Sequence, residues 1–188
     1  MRVLVTGGAG YIGSHATLTL LENGFDVVVL DNLVNGSEKA LDRVSTICSR
    51  TPVFIKGDVR DSTLLDKIFS DYQFDAVLHF AGLKSVNESL QIPLEYYSVN
   101  VAGTIALLQA MEKAGVLTIV FSSSATVYGE SSSASVDELS ATGGCVNSYG
   151  RSKLIAEEVL NDLPLSNNGW RVGILRYFNP VGAHSSGL

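Results

Sequence analysis

The amino-acid sequence predicts an α/β fold in which a doubly wound parallel sheet carries helices on both faces. Short runs of Val, Ile, Leu and Phe recur along the chain, and they are almost continuously apolar, as in strands covered on both faces. Helix-length segments with apolar residues three or four apart separate most of these runs. This alternation indicates parallel strands joined by crossover helices.

Six apolar runs are predicted to form the strands. They span residues 2–7, 25–31, 52–58, 75–82, 116–124 and 170–178. Two helices are marked most clearly, one over residues 11–24 with Gly24 as its stop and one over residues 148–163. Residues 129–147 are small and polar, so they are predicted to form a loop. Neither a repeat nor a linker is visible, and a chain of 188 residues is expected to form one domain.

Composition narrows the classes of function. The net charge is -6 and the 13 basic residues are scattered, which argues against a nucleic-acid or anionic-membrane surface. The two cysteines, Cys48 and Cys145, and the three histidines lie far apart, so no metal site is predicted. The first apolar run stops at Thr6, too soon for a secretory signal, and no run approaches the ~20 residues of a membrane span. We therefore expect a cytoplasmic protein with free thiols.

A glycine-rich stretch, TGGAGYIG over residues 6–13, joins the first strand to the first helix. It satisfies G-x-G-x-x-G from Gly8 and T-G-x-x-G-x-x-G from Thr6. The second strand ends at Asp31, 18 positions beyond Gly13, and such motifs place a ribose-binding acid ~20 residues on. Because glycine lets the backbone turn tightly against a pyrophosphate at a helix N-terminus, the stretch predicts a Rossmann-like dinucleotide site.

The acidic strand end indicates which dinucleotide is bound. A carboxylate at Asp31 would accept a hydrogen bond from the ribose 2′-hydroxyl and would repel a 2′-phosphate. No Arg or Lys stands between Asp31 and Lys39 to neutralise such a phosphate, so NAD is favoured over NADP. Asp58 ends the third strand and is expected beside the adenine, while the small residues of 80–82 would let the cofactor pass.

Tyr149 and Lys153 lie at i and i+4 of a predicted helix and therefore share one face. A free tyrosine has a pKa of about 10 and is a poor base at neutral pH. A neighbouring ammonium, together with a positive nicotinamide ring, would favour the phenolate by lowering the pKa of Tyr149. Ser124, at the end of the fifth strand, is placed to hydrogen-bond a substrate hydroxyl or carbonyl. The three residues are predicted to form a proton-transfer site.

The order of these motifs resembles the extended short-chain dehydrogenase/reductase family over the whole chain. The motifs HFAGLKSVNES, SSSATVYG, YGRSK and RYFNPVGAH are more specific than a generic dinucleotide motif. They are similar to the branch of the family that interconverts UDP-glucose and UDP-galactose, a step of galactose metabolism. The resemblance implies an NAD-binding domain over residues 1–188, without the family's C-terminal substrate domain. It also implies a homodimer formed through helices near residues 90–113 and 149–162.

The resemblance further implies a mechanism and a set of contacts. Tyr149 would take the proton of the sugar 4-hydroxyl while NAD takes the C4 hydride, and both would return to the opposite face of a 4-keto sugar. Lys153 would hold the nicotinamide ribose, and Ser124 would help carry the proton.

The motifs and the resemblance together give as cofactor contacts Gly7, Gly10, Tyr11, Ile12, Gly13, Asp31, Asn32, Asn35, Gly36, Asp58, Val59, Phe80, Ala81, Gly82, Lys84, Asn100, Ser122, Tyr149, Lys153, Tyr177 and Phe178. They give as substrate contacts Lys84, Ser124, Ala125, Thr126, Tyr149 and Asn179.

Two positions depart from the family pattern, and two alternatives stay open. Val99 precedes Asn100 where the family often has two Asn residues, and Ser148 stands where a Pro usually precedes the tyrosine. A sugar-nucleotide dehydratase would carry an acid and a base at the end of strand five, and a decarboxylase would carry a Glu at the position of Thr126. Residues 124–126 hold no carboxylate. The second alternative is an NAD-binding fragment with little or no turnover, because the substrate domain of the family is missing.

Overall fold

The computed structural model describes residues 1–130, 135–166 and 169–188. The strands are β1 (Arg2–Thr6), β2 (Asp26–Asp31), β3 (Val53–Lys56), β4 (Ala76–His79), β5 (Thr118–Ser124) and β6 (Arg171–Tyr177). They form one parallel sheet in the order β3-β2-β1-β4-β5-β6. This is the doubly wound order of dinucleotide-binding sheets, and it confirms the fold class that the sequence predicts.

Seven α-helices are found among the described residues. They are α1 (Tyr11–Glu22), α2 (Glu38–Cys48), α3 (Ser62–Asp71), α4 (Val86–Gln91), α5 (Pro93–Tyr97), α6 (Gly103–Lys113) and α7 (Ser148–Asp162). Short 3₁₀ turns cover Ala125–Tyr128 and Leu163–Ser166, and a π-helical turn covers Ser98–Ala102. Within the described residues, none of the helices is long and apolar enough to cross a membrane, and no group of three or more His, Cys, Asp or Glu side chains could hold a metal ion.

The sheet has a separate apolar core on each face. Val3 and Val5 of β1 belong to a buried cluster with α1 and α2, whereas Leu4 belongs to one with α3, α6 and α7. Side chains alternate between the two faces of a strand, so a run with no polar interruption can fill both cores. This explains why the strands read as continuous apolar runs rather than as an alternating pattern.

Strands β3 and β4 end earlier than the sequence predicts, at Lys56 and His79. The residues that follow, 57–58 and 80–82, leave the sheet at its carboxyl edge, and 80–82 lie beside the point where the chain order reverses between β1 and β4. Backbone that leaves a parallel sheet at its carboxyl edge forms the crevice where ligands bind in such folds. The predicted strand ends were therefore site residues rather than sheet residues.

The helix expected near residues 90–113 is interrupted. Pro93 occupies the first turn of α5, and because proline cannot continue a preceding helix, α4 ends at Gln91. A π-helical turn then separates α5 from α6. Residues 131–134 of the predicted loop over 129–147 lie outside the described residues, and the described part of that loop contains neither a helix nor a strand.

Candidate active site

A cavity of about 650 Å³ opens along the carboxyl ends of the strands. Every residue predicted from the sequence to bind cofactor or substrate lines this cavity, except Asn100 and Ala125. The elements that contribute come from both halves of the sheet. The cavity thus spans the β1–β4 switch point, as expected of a dinucleotide crevice.

The glycine-rich turn is packed too closely to carry side chains. Gly7 has a φ of 70°, and a Cβ there would lie 2.5 Å from the backbone nitrogen of Ala81. A Cβ at Gly13 would overlap the carbonyl oxygen of Gly7. Gly10 precedes α1, and no side chain of the described residues caps that helix. The first N–H groups of α1 therefore face the cavity without a side-chain partner, as an anion site requires.

Asp31 fixes the end of β2 against this turn. Its Oδ2 accepts a hydrogen bond from the backbone N–H of Ala9 at 3.0 Å, and its Oδ1 accepts one from that of Leu33 at 2.8 Å. The carboxylate lines the cavity although the residue is only 8% exposed. A carboxylate oxygen has two lone pairs, so each oxygen keeps acceptor capacity for a ribose hydroxyl.

Asp58 lies further along the cavity in an ion pair that the sequence reasoning missed. Arg60 donates to Oδ1 at 2.9 Å and to Oδ2 at 2.8 Å, and Asn32 donates to Oδ2 at 3.2 Å. The hydrogen bonds from Arg60 are the main reason that the pKa of Asp58 falls to about 2. Arg60 also donates to Glu95 at 2.8 Å, which links this strand end to α5. An Arg two residues after the acidic strand end was the signal available in the sequence.

Tyr149 lies in the first turn of α7, beside Ser124 of β5. Asn147 caps this helix by accepting a hydrogen bond from the N–H of Gly150 at 2.7 Å, although Ser148 stands where the family has a proline. Burial raises the pKa of Tyr149, and a hydrogen bond with Ser124 partly offsets that rise. In the chain without a nicotinamide ring, burial outweighs this hydrogen bond, whereas the lowering expected from the sequence includes the positive charge of that ring.

Lys153 is buried one turn further along α7. Its ammonium donates to the carbonyl oxygen of Ser122 at 2.8 Å and lies 4.8 Å from the centre of the Phe121 ring. Burial lowers the pKa of Lys153 to about 8, and the nearby carboxylate of Glu157 acts in the opposite direction. Tyr149, Lys153 and Ser124 all line the same end of the cavity, as the sequence predicts.

Two predicted residues, Asn100 and Ala125, do not line the cavity. The side-chain oxygen of Asn100 accepts from the N–H of Leu83 at 2.8 Å. Its amide nitrogen donates to the carbonyl oxygen of Leu83 at 3.0 Å and to Ser152 at 2.9 Å. Asn100 therefore holds the segment after β4 in place from behind. Ala125 begins the 3₁₀ turn that follows β5, so its neighbours Ser124 and Thr126 face the cavity instead.

The chain is similar to known proteins in both sequence and structure. Residues 3–187 match the NAD dependent epimerase/dehydratase family. The chain is 55% identical over 188 residues to a UDP-glucose 4-epimerase from Yersinia enterocolitica, covering 100% of this chain and 56% of that protein. It is 51% identical over 187 residues to one from Bacillus subtilis, covering 100% of this chain and 55% of that protein.

A solved structure shares the fold over the same span. The crystal structure of a UDP-glucose 4-epimerase from Bifidobacterium longum, in complex with NAD⁺ and UDP, superposes with a TM-score of 0.97 at 48% identity. The match covers 100% of this chain and 56% of that one. The chain thus spans little more than half the length of the relatives that it matches.

Proposed function

The chain belongs to the NAD dependent epimerase/dehydratase family, and on this premise we propose that it is the NAD-binding part, residues 1–188, of an enzyme that interconverts UDP-glucose and UDP-galactose. The observation that carries the proposal is the convergence of Ser124, Tyr149 and Lys153 in the same cavity as the glycine-rich turn. The reaction is a transient oxidation of the sugar at C4.

The residues of the cavity fit NAD. The turn at Gly7 leaves no room for a side chain, the N-terminus of α1 is open, and Asp31 keeps free acceptor capacity at the end of β2. When bound, NAD accepts a hydride from C4 and returns it. Asp31 would accept from a ribose hydroxyl, and Phe80, Gly82 and the other lining residues that follow β4 would contact the nicotinamide half.

The proton moves between the sugar hydroxyl and Tyr149. Ser124 accepts hydrogen bonds from the N–H of Thr126 at 3.2 Å and from its hydroxyl at 3.0 Å, which leaves the Ser124 proton free to reach the phenol or the substrate. Burial holds the pKa of Tyr149 high, so its phenolate needs positive charge nearby. Lys153 would supply part of that charge and would bind ribose hydroxyls. Ser124, Thr126 and Asn179 line the space left for the sugar.

The end of β5 favours epimerisation over dehydration. Eliminating water from the sugar needs an additional acid and base, but residues 124–126 are Ser, Ala and Thr. Transfer of a hydride and its return need only one proton carrier. We therefore expect that the protein releases no dehydrated 4-keto-6-deoxy sugar from any nucleotide hexose.

A product assay tests the proposal. The purified chain is incubated with NAD and UDP-galactose, and UDP-glucose is measured by chromatography. We expect conversion that falls by about 10²- to 10⁴-fold in Tyr149→Phe, the range typical of a lost general base. Tyr97→Phe is the matched control, since it removes a phenol that does not line the cavity. An active Tyr149→Phe variant would contradict the assigned role.

A second candidate is an NAD-binding fragment with little or no turnover. It is favoured by the length of the chain, which spans 56% of the Yersinia relative, and by the exposure of Phe178 and Val181 after β6, at 62% and 94%. Placing the sugar C4 against the nicotinamide needs positioning contacts, and a small misplacement costs much of the rate. A chain that quenches or enhances NADH fluorescence on binding, yet forms no UDP-glucose, would establish this candidate instead.

We further infer that the protein acts in the cytoplasm, in galactose metabolism, as a homodimer. The described cysteines, Cys48 and Cys145, are both free, as is usual in a reducing compartment. The dimer is expected to use the helices near residues 90–113 and 149–162. Sedimentation of the purified chain and fractionation of cells that express it test these two inferences.

A further inference from the structure

Glu157 is a buried carboxylate that the reaction proposed above does not use. It lies on α7 one turn beyond Lys153 and two turns beyond Tyr149, so the three side chains share one face of the helix. The residue is only 2% exposed. A charged carboxylate is rarely buried so completely unless it is paired and hydrogen-bonded, so its partners need to be identified.

Both oxygens of Glu157 are occupied by groups from the sheet. Ser123 of β5 donates a short hydrogen bond to Oε1. Arg176 of β6 donates from Nε to Oε1 at 3.1 Å and from Nη2 to Oε2 at 2.7 Å. The carboxylate thereby ties α7 to the ends of two strands, and Ser123 lines the cavity together with Ser122 and Ser124.

Arg176 extends the connection to the cavity wall. Its Nη1 donates to the hydroxyl of Tyr128 at 3.1 Å, and its guanidinium lies 4.9 Å from the centre of that ring. The Tyr128 ring stacks on Phe178 with centroids 6.3 Å apart, and Phe178 lines the cavity. Glu157 is therefore at the centre of a buried network, made of Ser123, Glu157, Arg176 and Tyr128, that lies behind the catalytic end of the site.

Lys153 and Glu157 reach neighbouring residues of β5 from successive turns of α7, since Lys153 donates to the carbonyl oxygen of Ser122 and Glu157 accepts from the hydroxyl of Ser123. The titratable groups facing Lys153 are His79 of β4 and the side chains of Tyr149 and Glu157 on its own helix. Among these three, only Glu157 is a carboxylate, and it is ion-paired with Arg176. Burial lowers the pKa of Lys153 and Glu157 opposes that effect, while Lys153 in turn disfavours protonation of His79.

We propose that Glu157 is a positioning residue, which keeps the Lys153 side chain in its ammonium form and holds the end of β5 against α7. Arg176, Tyr128 and the thiol of Cys145 are the other charged or titratable groups that face Glu157. For catalysis this inference rests on the proposed function, because the ammonium is the form that donates to ribose hydroxyls and stabilises a phenolate. The charge state of Lys153 itself does not depend on that function.

The titration of Lys153 in the chain without cofactor tests the proposal. The side-chain nitrogen and Cε signals of Lys153 are followed by NMR from pH 6 to 11, with assignment by Lys153→Arg. We expect a midpoint at about 8 in the wild type. In Glu157→Gln, which keeps the size and can still accept from Ser123, the midpoint should fall by about one pH unit. Glu158→Gln removes the same charge from the next residue, which is exposed, and should leave the midpoint unchanged.

An unchanged midpoint in Glu157→Gln would overturn the proposal. If that variant does not fold, Arg176→Gln tests the same coupling with the opposite sign. Removing the cation that competes for Glu157 should raise the Lys153 midpoint, and no rise would also overturn the proposal. NADH titrations at pH 6.5 and 8.5 add the functional readout, with a loss of affinity in Glu157→Gln that is larger at the higher pH. If none of the proteins binds NADH, the proposed function fails, while the Lys153 midpoint still decides this inference.

Discussion

Two buried bases, His79 and Lys153, pack against the ring of Phe121 and differ in charge at neutral pH, where His79 is neutral and Lys153 is an ammonium. The imidazole accepts from the hydroxyl of Thr6 at 2.6 Å and donates to that of Thr104 at 2.9 Å. His79 donates to Thr104 because the Thr104 hydroxyl uses its own proton to donate to the carbonyl oxygen of Asn100 at 2.7 Å. Burial, with a contribution from Lys153, lowers the pKa of His79 to about 3. His79 is therefore a neutral bridge between β1 and the helices behind β4.

This pKa predicts an acid-sensitive fold. In the unfolded chain His79 titrates at about 6.5, whereas in the folded chain it titrates at about 3. Between these values the unfolded state binds one more proton, so the contribution of His79 is complete above pH 6.5 and declines as the pH falls toward 3. We expect the free energy of unfolding to lose about 1.4 kcal/mol per pH unit from this group below pH 6.

Urea unfolding at pH 7, 6, 5 and 4 measures this loss. His79→Gln, which keeps a donor and an acceptor, should show a flatter dependence on pH than the wild type. His15→Gln is the matched control, because His15 is exposed and its removal should leave the slope unchanged. Equal slopes in the wild type and His79→Gln would contradict the prediction.

At the scale of elements, the junction of β1 and α1 depends on close backbone contact. Gly7 and Ala81 bring the ends of β1 and β4 together, and Gly13 brings the first turn of α1 onto Gly7. Gly7 also has a positive φ, a conformation that other residues adopt only with strain. The glycines are therefore needed for the packing of β1, α1 and β4 in the chain without a cofactor, as well as for binding a ligand.

The two helix-side glycines of this junction should respond differently to the same substitution. A Cβ at Gly13 would overlap the Gly7 carbonyl oxygen, whereas a Cβ at Gly10 would lie 3.3 Å from it. We expect Gly13→Ala to destabilise the cofactor-free chain by about 1–3 kcal/mol or more, as overpacking against backbone does. Gly10→Ala should cost about 1 kcal/mol or less. Urea unfolding of both variants without cofactor decides the point, and equal losses would show that space at Gly13 is not the constraint.

At the scale of the whole molecule, apolar side chains remain exposed on α4 and α5. Leu90 is 61% exposed and Leu94 is 83% exposed, although neighbouring Tyr96 is fully buried. The inward face of α6 is buried against the sheet through Leu107 and Met111. The exposed residues on α4 and α5 are therefore available for contact with a second copy of the chain.

This surface predicts how the proposed dimer would be disrupted. Leu94→Glu would place a charge in an apolar contact between two subunits, so we expect the dimer dissociation constant to rise at least about tenfold. Leu139→Glu is the matched control, since Leu139 is 95% exposed and lies in the loop before α7. Sedimentation equilibrium measures both variants. A monomeric wild type, or a dimer unaffected by Leu94→Glu, would exclude an interface at this place.

The site was predictable from the sequence wherever a short segment alone determined it. The glycines of residues 6–13, the acidic end of β2, and the i, i+4 spacing of Tyr149 and Lys153 are local patterns, and the match to the family confirms the resemblance that they indicate. The fold class followed in the same way from the alternation of apolar runs and helical segments. Each of these features depends on residues that are close in the chain, so the printed sequence contains it directly.

The tertiary structure decided which distant groups meet behind the site. Arg176 reaches Glu157 across 19 positions, and Asn100 reaches Ser152 across 52. No local pattern marks such pairs, because their meeting depends on how α7 and the helices before it lie on the sheet. Burial is also a property of the packed molecule, and it raises the pKa of Tyr149 in the chain without a cofactor. The sequence by itself determined the chemistry available in the cavity, and packing determined the charge states in which that chemistry is held.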